Sequence, residues 1–256
     1  MKNPKCLVAL LMVPMILQVW APREVFGQAQ GVTQSILVEP NQKTQEVSTE
    51  QVRAIITEGS AILIDSRPRK EFVNGHLPGA KSVEGTQGEQ IAAVESLVAG
   101  DRSKPLVLYC NGPFCQASRR LADQLVAAGY TNVRRYQLGL PVWRALGGPT
   151  AIELEGVIRA LKSDQTAVFF DARSPEEVAK GTIPGAHNIP PDKHSPTGMT
   201  GIPMPEDDFN TRIILIGRDG DQARALAEAF SKRPWHNVMY FTGSYEDIAS
   251  MLATRQ

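Results

Sequence analysis

The feature that most constrains the fold of this chain is an internal repeat. The segment 62–80, ILIDSRPRKEFVNGHLPGA, is followed by a related segment at 168–186, VFFDARSPEEVAKGTIPGA. Asp, Arg, Glu, Gly, Pro, Gly and Ala recur between the two at a constant offset of 106 positions. Chance agreement over this length is implausible, and a repeat of this kind indicates two copies of one structural unit.

Each copy predicts the same alternation of helices and strands. Ser48-Thr49-Glu50-Gln51 is a capping box, which predicts the start of a short amphipathic helix, and 153–161 is its counterpart. Short apolar runs predict strands that are buried in a parallel sheet, and helices follow the later ones. The predicted strands are 61–65, 105–109, 167–171 and 212–216, and the helices are 117–128 and 222–230. This alternation predicts an α/β fold with two tandem domains, each a mainly parallel sheet flanked by helices.

Composition divides the chain further. Residues 30–47 are polar and lack periodicity, which predicts a flexible lead-in. The seam between the copies falls at Gly147-Gly148-Pro149, a sequence typical of a linker. We therefore expect a first domain at 48–148 and a second at 149–256.

The first 29 residues have the pattern of a secretory signal. A basic start at 1–5 precedes an apolar run at 6–20, and small residues follow up to Ala29. An uncleaved membrane anchor is the alternative, but the run is shorter than the span of about 20 residues that a bilayer requires, and Pro14 interrupts it. We predict cleavage after Ala29, a periplasmic or secreted protein, and no stable membrane insertion after cleavage.

Charge and cysteine content narrow the function classes. Lysine plus arginine equals aspartate plus glutamate, 27 each, so no charge excess points to nucleic acid or an anionic membrane. Once the predicted signal takes Cys6 away, only Cys110 and Cys115 remain. Two cysteines in one loop build neither a disulfide framework nor a four-cysteine zinc site, so they are interpreted as a local pair.

Cys110 lies where a predicted strand gives way to a helix. That junction is at the carboxyl edge of the sheet, where open α/β folds bind ligands. The segment 111–116 must curl around the sulfur, so we expect its N–H groups and the helix N-terminus to favour the thiolate, with Arg119 and Arg120 adding positive potential. An exposed thiolate is a nucleophile. The alternative is a buried, inert cysteine.

The motifs around Cys110 occur in a recognisable order: Asp-x-Arg at 65–67, Glu-Phe-x-x-Gly-His-Leu-Pro-Gly-Ala at 71–80, then a buried strand ending in Tyr109-Cys110. Together they resemble the rhodanese superfamily, and the resemblance extends over 48–256. It implies that a small sulfur donor such as thiosulfate converts Cys110 to a persulfide, from which a thiol or cyanide-like acceptor removes the sulfur. No metal or organic cofactor is implied. The substrate-binding residues implied by the resemblance are Asn111, Gly112, Pro113, Phe114, Cys115, Gln116 and Arg119.

The loop departs from the family pattern at one position. The usual pattern has arginine five residues after the nucleophile, and this chain has Cys115. Loss of a guanidinium that would hold an anion puts thiosulfate itself in doubt. Cys115 either forms a reversible disulfide with Cys110 or packs behind the loop, and spacing alone leaves both open.

Two other functions fit this fold. A phosphatase or arsenate reductase needs a loop one residue longer that ends in arginine, which neither Cys115 nor Gln116 supplies. A sulfur carrier or redox-sensing binding module would use Cys110 and Cys115 without enzymatic turnover. The missing arginine keeps this second alternative open.

The second copy aligns Gly217 with Cys110 and contains no thiol. Asp219 and Asp221 follow, in a loop that we expect to be one residue shorter, and both would repel an anionic donor. We therefore predict a catalytically inactive second domain with a structural role.

Asp65 and Arg67 recur as Asp171 and Arg173 in the copy that lacks a thiol. We therefore interpret each pair as a buried polar brace rather than as catalytic residues. His76 aligns with Thr182, and the same comparison predicts a structural role for it.

Overall fold

The computed structural model describes residues 41–194 and 208–254, which form two five-stranded sheets. The strands of the first sheet are β1 Gln45–Glu46, β2 Ile62–Asp65, β3 Lys81–Ser82, β4 Leu106–Tyr109 and β5 Val133–Tyr136. Those of the second are β6 Thr150–Ile152, β7 Val168–Asp171, β8 His187–Asn188, β9 Ile213–Ile216 and β10 Val238–Phe241. The orders β1-β5-β4-β2-β3 and β6-β10-β9-β7-β8 are equivalent, and all pairings within them are parallel. The predicted α/β fold with two tandem domains is confirmed.

Helices flank both sheets. Those of the first domain are Thr49–Glu58, Arg69–Phe72, Gln87–Val98, Ala117–Ala127 and Gly139–Ala145. Those of the second are Leu154–Ser163, Pro175–Val178, Gly220–Phe230 and Tyr245–Ala253, with a 3-10 turn at Pro191–Lys193. Within the described ranges, none of these helices has the length and apolar character that a bilayer span requires. The predicted signal peptide at 1–29 lies outside the described residues.

The first helix begins where the capping box predicts. The Ser48 hydroxyl accepts the Gln51 N–H at 3.2 Å, and the Gln51 side chain accepts the Ser48 N–H at 2.8 Å. The helix ends at Gly59, whose φ of 65° is a left-handed conformation that glycine adopts without strain. Local chemistry therefore sets both ends of this helix.

The strand β1 lies inside the segment predicted to be a flexible lead-in. Gln45–Glu46 pairs with β5, and the flanking Thr44 and Val47 are buried. The first sheet therefore begins before residue 48, within the segment predicted to be flexible. A two-residue strand is too short to produce a recognisable pattern in the sequence. The first part of the predicted lead-in, up to residue 40, lies outside the described residues.

Both faces of each sheet are covered, which explains why the central strands show no polar alternation. In β4, Leu106 and Leu108 pack into one apolar layer while Val107 and Tyr109 pack into the layer on the other face. Asp65 at the end of β2 is in register with Tyr109. The carboxyl ends of these neighbouring strands therefore meet at one edge of the sheet.

The two domains are joined by backbone pairing. His76 and Ala151 exchange both N–H···O bonds at 2.9 Å, in an isolated antiparallel bridge, and Glu153 N–H donates to the Val73 carbonyl at 3.1 Å. Gly156 packs on the same carbonyl so closely that a Cβ would come within 2.2 Å of its oxygen. The turn 73–76 therefore joins the first domain to the start of the second.

The predicted linker at 147–149 is packed rather than loose. Trp143 is buried, and its indole N–H donates to the Pro149 carbonyl at 3.0 Å. A Cβ on Gly148 would lie 2.2 Å from the Trp143 ring, so only glycine fits beneath the indole. The linker thus follows the surface of the first domain into β6.

Candidate active site

The loop Cys110–Gln116 lies between β4 and the helix Ala117–Ala127, at the carboxyl edge predicted for it. The segment after β5 holds its base, because Leu140 N–H donates to the Cys110 carbonyl at 3.1 Å. Gly139 packs against the same carbonyl, where a Cβ would approach to 2.3 Å, and its φ is 65°. Gly112, with φ of 102°, allows the chain to turn back over the sulfur. The loop therefore depends on both glycines.

The Cys110 sulfur lies beneath the loop and not on its surface. The residue is 2% exposed, and Sγ lies 3.2 Å from the Cys115 carbonyl oxygen and 3.4 Å from Ser118 Oγ. Burial, assisted by a hydrogen bond with Cys115, raises the pKa of the Cys110 thiol to about 11, although hydrogen bonds with Ser118 act in the opposite direction. The expectation of an exposed Cys110 that rests as a thiolate is wrong. A carbonyl group, which prefers a thiol donor, faces this sulfur.

Cys115 occupies the environment that was expected for Cys110. Burial acts to raise its pKa, but hydrogen bonds from the Cys110 thiol and from the N–H groups of Ala117 and Asn111 outweigh this and lower it. Cys115 is also partly exposed, whereas Cys110 is not. The loop amides and the helix N-terminus therefore favour a thiolate at Cys115.

The rim of the loop carries charges of both signs. The Asn111 amide donates to the Glu71 carboxylate at 2.6 Å, and the Arg67 guanidinium lies 3.9 Å from the same oxygen. Phe114 projects from the tip of the loop and is 84% exposed. Gln116, the last residue of the loop, is exposed too.

A groove of about 470 Å³ opens beside the loop. Ser66, Arg67 and Glu84 line one part of it, and Ala117 and Arg120 from the helix line another. Arg119, which was predicted to bind substrate, is half-buried on the same turn of the helix but does not line the groove. The groove thus brings two arginines and one glutamate next to the loop.

Beneath the loop, the predicted brace is present. The Arg67 side chain meets both oxygens of the Asp65 carboxylate at 2.6–3.1 Å and donates to the Gly75 carbonyl at 2.7 Å. The Tyr109 hydroxyl donates to the same carboxylate at 2.7 Å. All of these side chains are buried, and Arg67 also reaches Asn111 Oδ1 at 3.4 Å. The brace therefore fixes the turn after β2 and touches the loop that carries Cys110.

The second domain repeats this arrangement. Arg173 meets both oxygens of Asp171 at 2.7–3.2 Å and donates to the Gly181 carbonyl at 2.7 Å. Thr182 supplies the hydroxyl that donates to the carboxylate, again at 2.7 Å. Both pairs are therefore buried and hydrogen-bonded in the same way, each to its own carboxylate and to a glycine carbonyl.

Comparison with known proteins agrees with the repeat. The family model of the Rhodanese-like domain matches residues 48–146 and, a second time, residues 155–251. The chain belongs to the rhodanese-like family.

Several relatives of this rhodanese-like chain are sulfurtransferases. The human thiosulfate:glutathione sulfurtransferase is 32% identical over 112 residues, which cover 40% of this chain and 93% of that protein. The adenylyltransferase and sulfurtransferase UBA4 of Candida albicans is 37% identical over 83 residues, which cover 32% of this chain and 19% of that protein. The chain also spans less than two fifths of the length of two further relatives. A solved thiosulfate sulfurtransferase from Pseudomonas aeruginosa matches 83% of this chain and 43% of its own, with 19% identity and a TM-score of 0.38.

The second rhodanese-like domain has a much shorter loop. Residues 110–116 separate β4 from its helix, but only 217–219 separate β9 from the helix Gly220–Phe230. The expectation of a loop one residue shorter is therefore wrong, since four residues are missing. The helix begins early because the Asp219 side chain accepts the Gln222 N–H at 2.8 Å and caps it.

Gly217 has no room for a thiol. A Cβ there would lie 2.9 Å from both the Ala223 nitrogen and the Asp219 carbonyl oxygen. The Arg218 N–H donates to the Gln222 side chain at 2.8 Å, which closes the turn further. This geometry supports the predicted inactivity of the second domain.

Ser118 and Glu71 were missed among the predicted site residues. Ser118 is eight positions after Cys110, on the buried face of the first helical turn. A polar residue at the start of the helix that follows the loop could have been predicted from the sequence to lie near Cys110. Glu71 recurs as Glu177, so the comparison of the two copies gave no reason to assign it to the loop. Its contact with Asn111 becomes visible only in the folded chain.

Proposed function

We propose that this protein is an exported sulfurtransferase in which Cys110 carries sulfane sulfur as a persulfide. The observation that carries the proposal is the position of Cys110, in the longer of the two equivalent loops that follow β4 and β9, where the chain encloses its sulfur. Membership of the rhodanese-like family and the sulfurtransferase relatives support the reaction class.

The reaction consists of two displacements at sulfur. The Cys110 thiolate attacks the outer sulfur of a donor, and with thiosulfate the leaving group is sulfite. The Ser118 hydroxyl, 3.4 Å from Sγ, donates to the developing anion. A thiol or cyanide-like acceptor then attacks the outer sulfur of the persulfide, and Cys110 leaves as the thiolate. No metal or organic cofactor takes part in either displacement.

The pKa of Cys110 sets the pH dependence of the first displacement. With a pKa of about 11, the thiolate is a small fraction of the protein at neutral pH, although each thiolate is a strong nucleophile. We expect the rate of persulfide formation to rise with pH up to this pKa. Cys115 stands where an arginine would hold an anionic donor, so thiosulfate is expected to bind weakly.

Export is the second part of the proposal. It rests on the basic, apolar and small segments that end at Ala29. Mass spectrometry of the protein from its native host should find a mature N-terminus at Gln30. A full-length chain retained in the cytoplasm would contradict export.

The persulfide is tested directly on the peptide that contains both cysteines. The protein is exposed briefly to thiosulfate or to glutathione persulfide, alkylated, digested and sequenced by mass spectrometry. We expect the added sulfur on Cys110 in the Cys115→Ser variant, which has no second thiol in the loop, and none on Cys115 in the Cys110→Ser variant. If no donor places sulfur on Cys110, the sulfurtransferase proposal fails and the binding-module alternative is favoured.

A further inference from the structure

The proposed displacements leave the second thiol of the loop without a part in the reaction. We propose that Cys115 is a resolving thiol, which attacks the Cys110 persulfide, releases sulfide and leaves a Cys110–Cys115 disulfide for a dithiol reductant to open. This step rests on the proposed Cys110 persulfide. It assigns a catalytic residue, a product and the chemical class of the electron donor.

The first support is the position of the two sulfurs. The Cys110 sulfur lies 3.2 Å from the carbonyl oxygen of Cys115, and each thiol shifts the pKa of the other, raising that of Cys110 and lowering that of Cys115. The turn closed by the Cys115 N–H and the Gly112 carbonyl, at 3.0 Å, keeps Cys115 folded back toward Cys110. The backbone of Cys115 is therefore in contact with the sulfur that its thiol would attack, and both thiols belong to one closed turn.

The second support is the environment of the Cys115 sulfur. The N–H groups of Asn111 and Ala117 donate to it, so the loop amides that would cradle an anion meet the Cys115 sulfur. Cys115 is also the partly exposed member of the pair. A residue that only filled space behind the loop would need neither the two N–H donors nor contact with solvent.

The third support concerns which sulfur of the persulfide is attacked. Attack on the outer sulfur would expel the Cys110 thiolate, whereas attack on the inner sulfur expels sulfide. Thiol exchange proceeds faster when the leaving group is the stronger acid. An acceptor from solution meets the outer sulfur first, because Cys110 is 2% exposed, whereas Cys115 belongs to the same loop as the inner sulfur. Burial also raises the pKa of Cys110 to about 11, so hydrogen sulfide is the stronger acid and the better leaving group for an attack within the loop. Attack by Cys115 on the inner sulfur is therefore favoured.

Electrons and atoms balance in this sequence. The bond between Cys110 Sγ and the outer sulfur breaks, the outer sulfur keeps the electron pair and leaves as HS⁻, and the bond between Cys110 and Cys115 forms. The two cysteines are oxidised and the sulfane sulfur is reduced to sulfide. A dithiol then reduces the disulfide by thiol–disulfide exchange and is itself oxidised to a disulfide.

A single-turnover experiment tests this step. Mature-length protein, its Cys115→Ser variant and its Cys110→Ser variant are treated without oxygen, at alkaline pH, with thiosulfate or with glutathione persulfide, and are then separated from small molecules. Released sulfide is trapped with a bimane reagent, and intact mass reports persulfide or disulfide. Samples without donor control for oxidation of the thiols by other routes.

We expect the unaltered protein to release one sulfide per chain and to lose the mass of two hydrogen atoms, and dithiothreitol to restore it for a second turnover. Cys115→Ser should instead retain one added sulfur on Cys110 and release none. A stable persulfide on Cys110 in both proteins would overturn the resolving role while keeping the proposed function. Sulfur found on Cys115 without sulfide release would also overturn it, since the outer sulfur would then have been attacked. Failure of every donor to load Cys110 in Cys115→Ser would contradict the proposed function itself.

Discussion

The two domains have one scaffold and two different loops. The buried ion pair of the first domain, Asp65 with Arg67, has the same hydrogen bonds as the pair Asp171 with Arg173 in the second. In both domains the arginine also donates to a glycine carbonyl at 2.7 Å. After the central strand, however, the first domain continues for seven residues before its helix, and the second for only three. The difference shows that the brace builds the edge of the sheet and that the length of the loop determines whether the edge can hold a sulfur.

The helix after each loop shows how the shorter one is stabilised. Asp219 caps the second helix through its side chain, whereas the first helix follows Gln116, which makes no side-chain cap. In the first domain the N–H of Ala117, at the start of that helix, instead lowers the pKa of the Cys115 thiol. One domain uses its helix N-terminus to stabilise the helix, and the other uses it to stabilise a thiolate.

The largest expected effect is the loss of sulfur transfer in Cys110→Ser. Serine is similar in size but is a far weaker nucleophile, so turnover should fall at least about a thousandfold while the fold is retained. Transfer of sulfur from a donor to cyanide or a thiol measures this, and circular dichroism checks the fold. Turnover close to that of the unaltered protein would mean that the loop of the first domain is not the reactive one.

The braces provide the second test. Asp65→Ala and Asp171→Ala each leave a buried arginine without its carboxylate, so each should lower the free energy of unfolding by about 3–5 kcal/mol. Only Asp65→Ala should also slow sulfur transfer, because Arg67 reaches Asn111 in the reactive loop. Urea unfolding and steady-state kinetics measure the two effects.

A surface pair supplies the matched control for this experiment. Asp164→Ala removes a partly exposed partner of Arg212, at 3.1 Å, and should cost no more than about 1 kcal/mol. If the two brace variants slow sulfur transfer equally, the brace does not act through the reactive loop.

More of the fold than of the candidate site could be predicted from the sequence. The constant offset predicted both braces and both sheets, because a repeat preserves the residues that a fold needs. It also predicted Cys110 at the end of β4. The environment of its sulfur depends on the direction in which the carbonyl groups of the loop point. The spacing of residues in the sequence does not predict that direction. The second loop is shorter than predicted because Asp219 caps the following helix instead of lying in the loop as a free charge.

His76 and Thr182 occupy equivalent positions and give a third, smaller difference. His76 is stacked on Phe72, and burial lowers its pKa to about 4 although the Phe72 carbonyl acts to raise it. Below pH 6.5 the unfolded chain binds a proton that the folded chain does not. Stability is therefore complete above this pH and falls as pH decreases to about 4, by at most roughly 3 kcal/mol. The Glu153 carboxylate, 3.6 Å from Nε2, lessens the loss.

Urea unfolding between pH 7 and pH 4 measures this loss against His76→Thr, which copies the second domain at this position. The variant should lose the part of the acid sensitivity that comes from the imidazole. An unchanged slope would show that other groups, and not His76, cause the loss of stability in acid.

Gly217→Cys asks whether a thiol alone restores the site of the second domain. The new Cβ would be 2.9 Å from two backbone atoms, so we expect a loss of about 1–3 kcal/mol and no persulfide. Gly88→Cys is the matched control, because a Cβ there would meet no atom within 4 Å beyond the backbone of its own helix, and it should cost little. Persulfide formation at residue 217 in the Cys110→Ser background would contradict the importance of loop length.

A smaller effect on sulfur transfer than that of Cys110→Ser is expected from Cys115→Arg, which gives the first loop the arginine of the family pattern. A guanidinium at the rim would add a charge-assisted hydrogen bond to an anionic donor, and a contact of about 1.5–3 kcal/mol strengthens binding on the order of tenfold or more. The KM for thiosulfate should fall by this factor, and the KM for a donor of lower charge should change much less. The same variant lacks a resolving thiol, so its Cys110 persulfide should also persist when no acceptor is present.

Cys115→Gln separates these two consequences, since it removes the thiol without adding charge. We expect Cys115→Gln to prolong the persulfide as Cys115→Arg does, but to leave the KM for thiosulfate near that of the unaltered protein. A fall in KM with both variants would mean that the Cys115 thiolate repels the donor and that the guanidinium adds nothing. If neither variant changes the KM or the lifetime of the persulfide, then Cys115 only packs behind the loop. The comparison of the two domains would then rest on Cys110 and loop length alone.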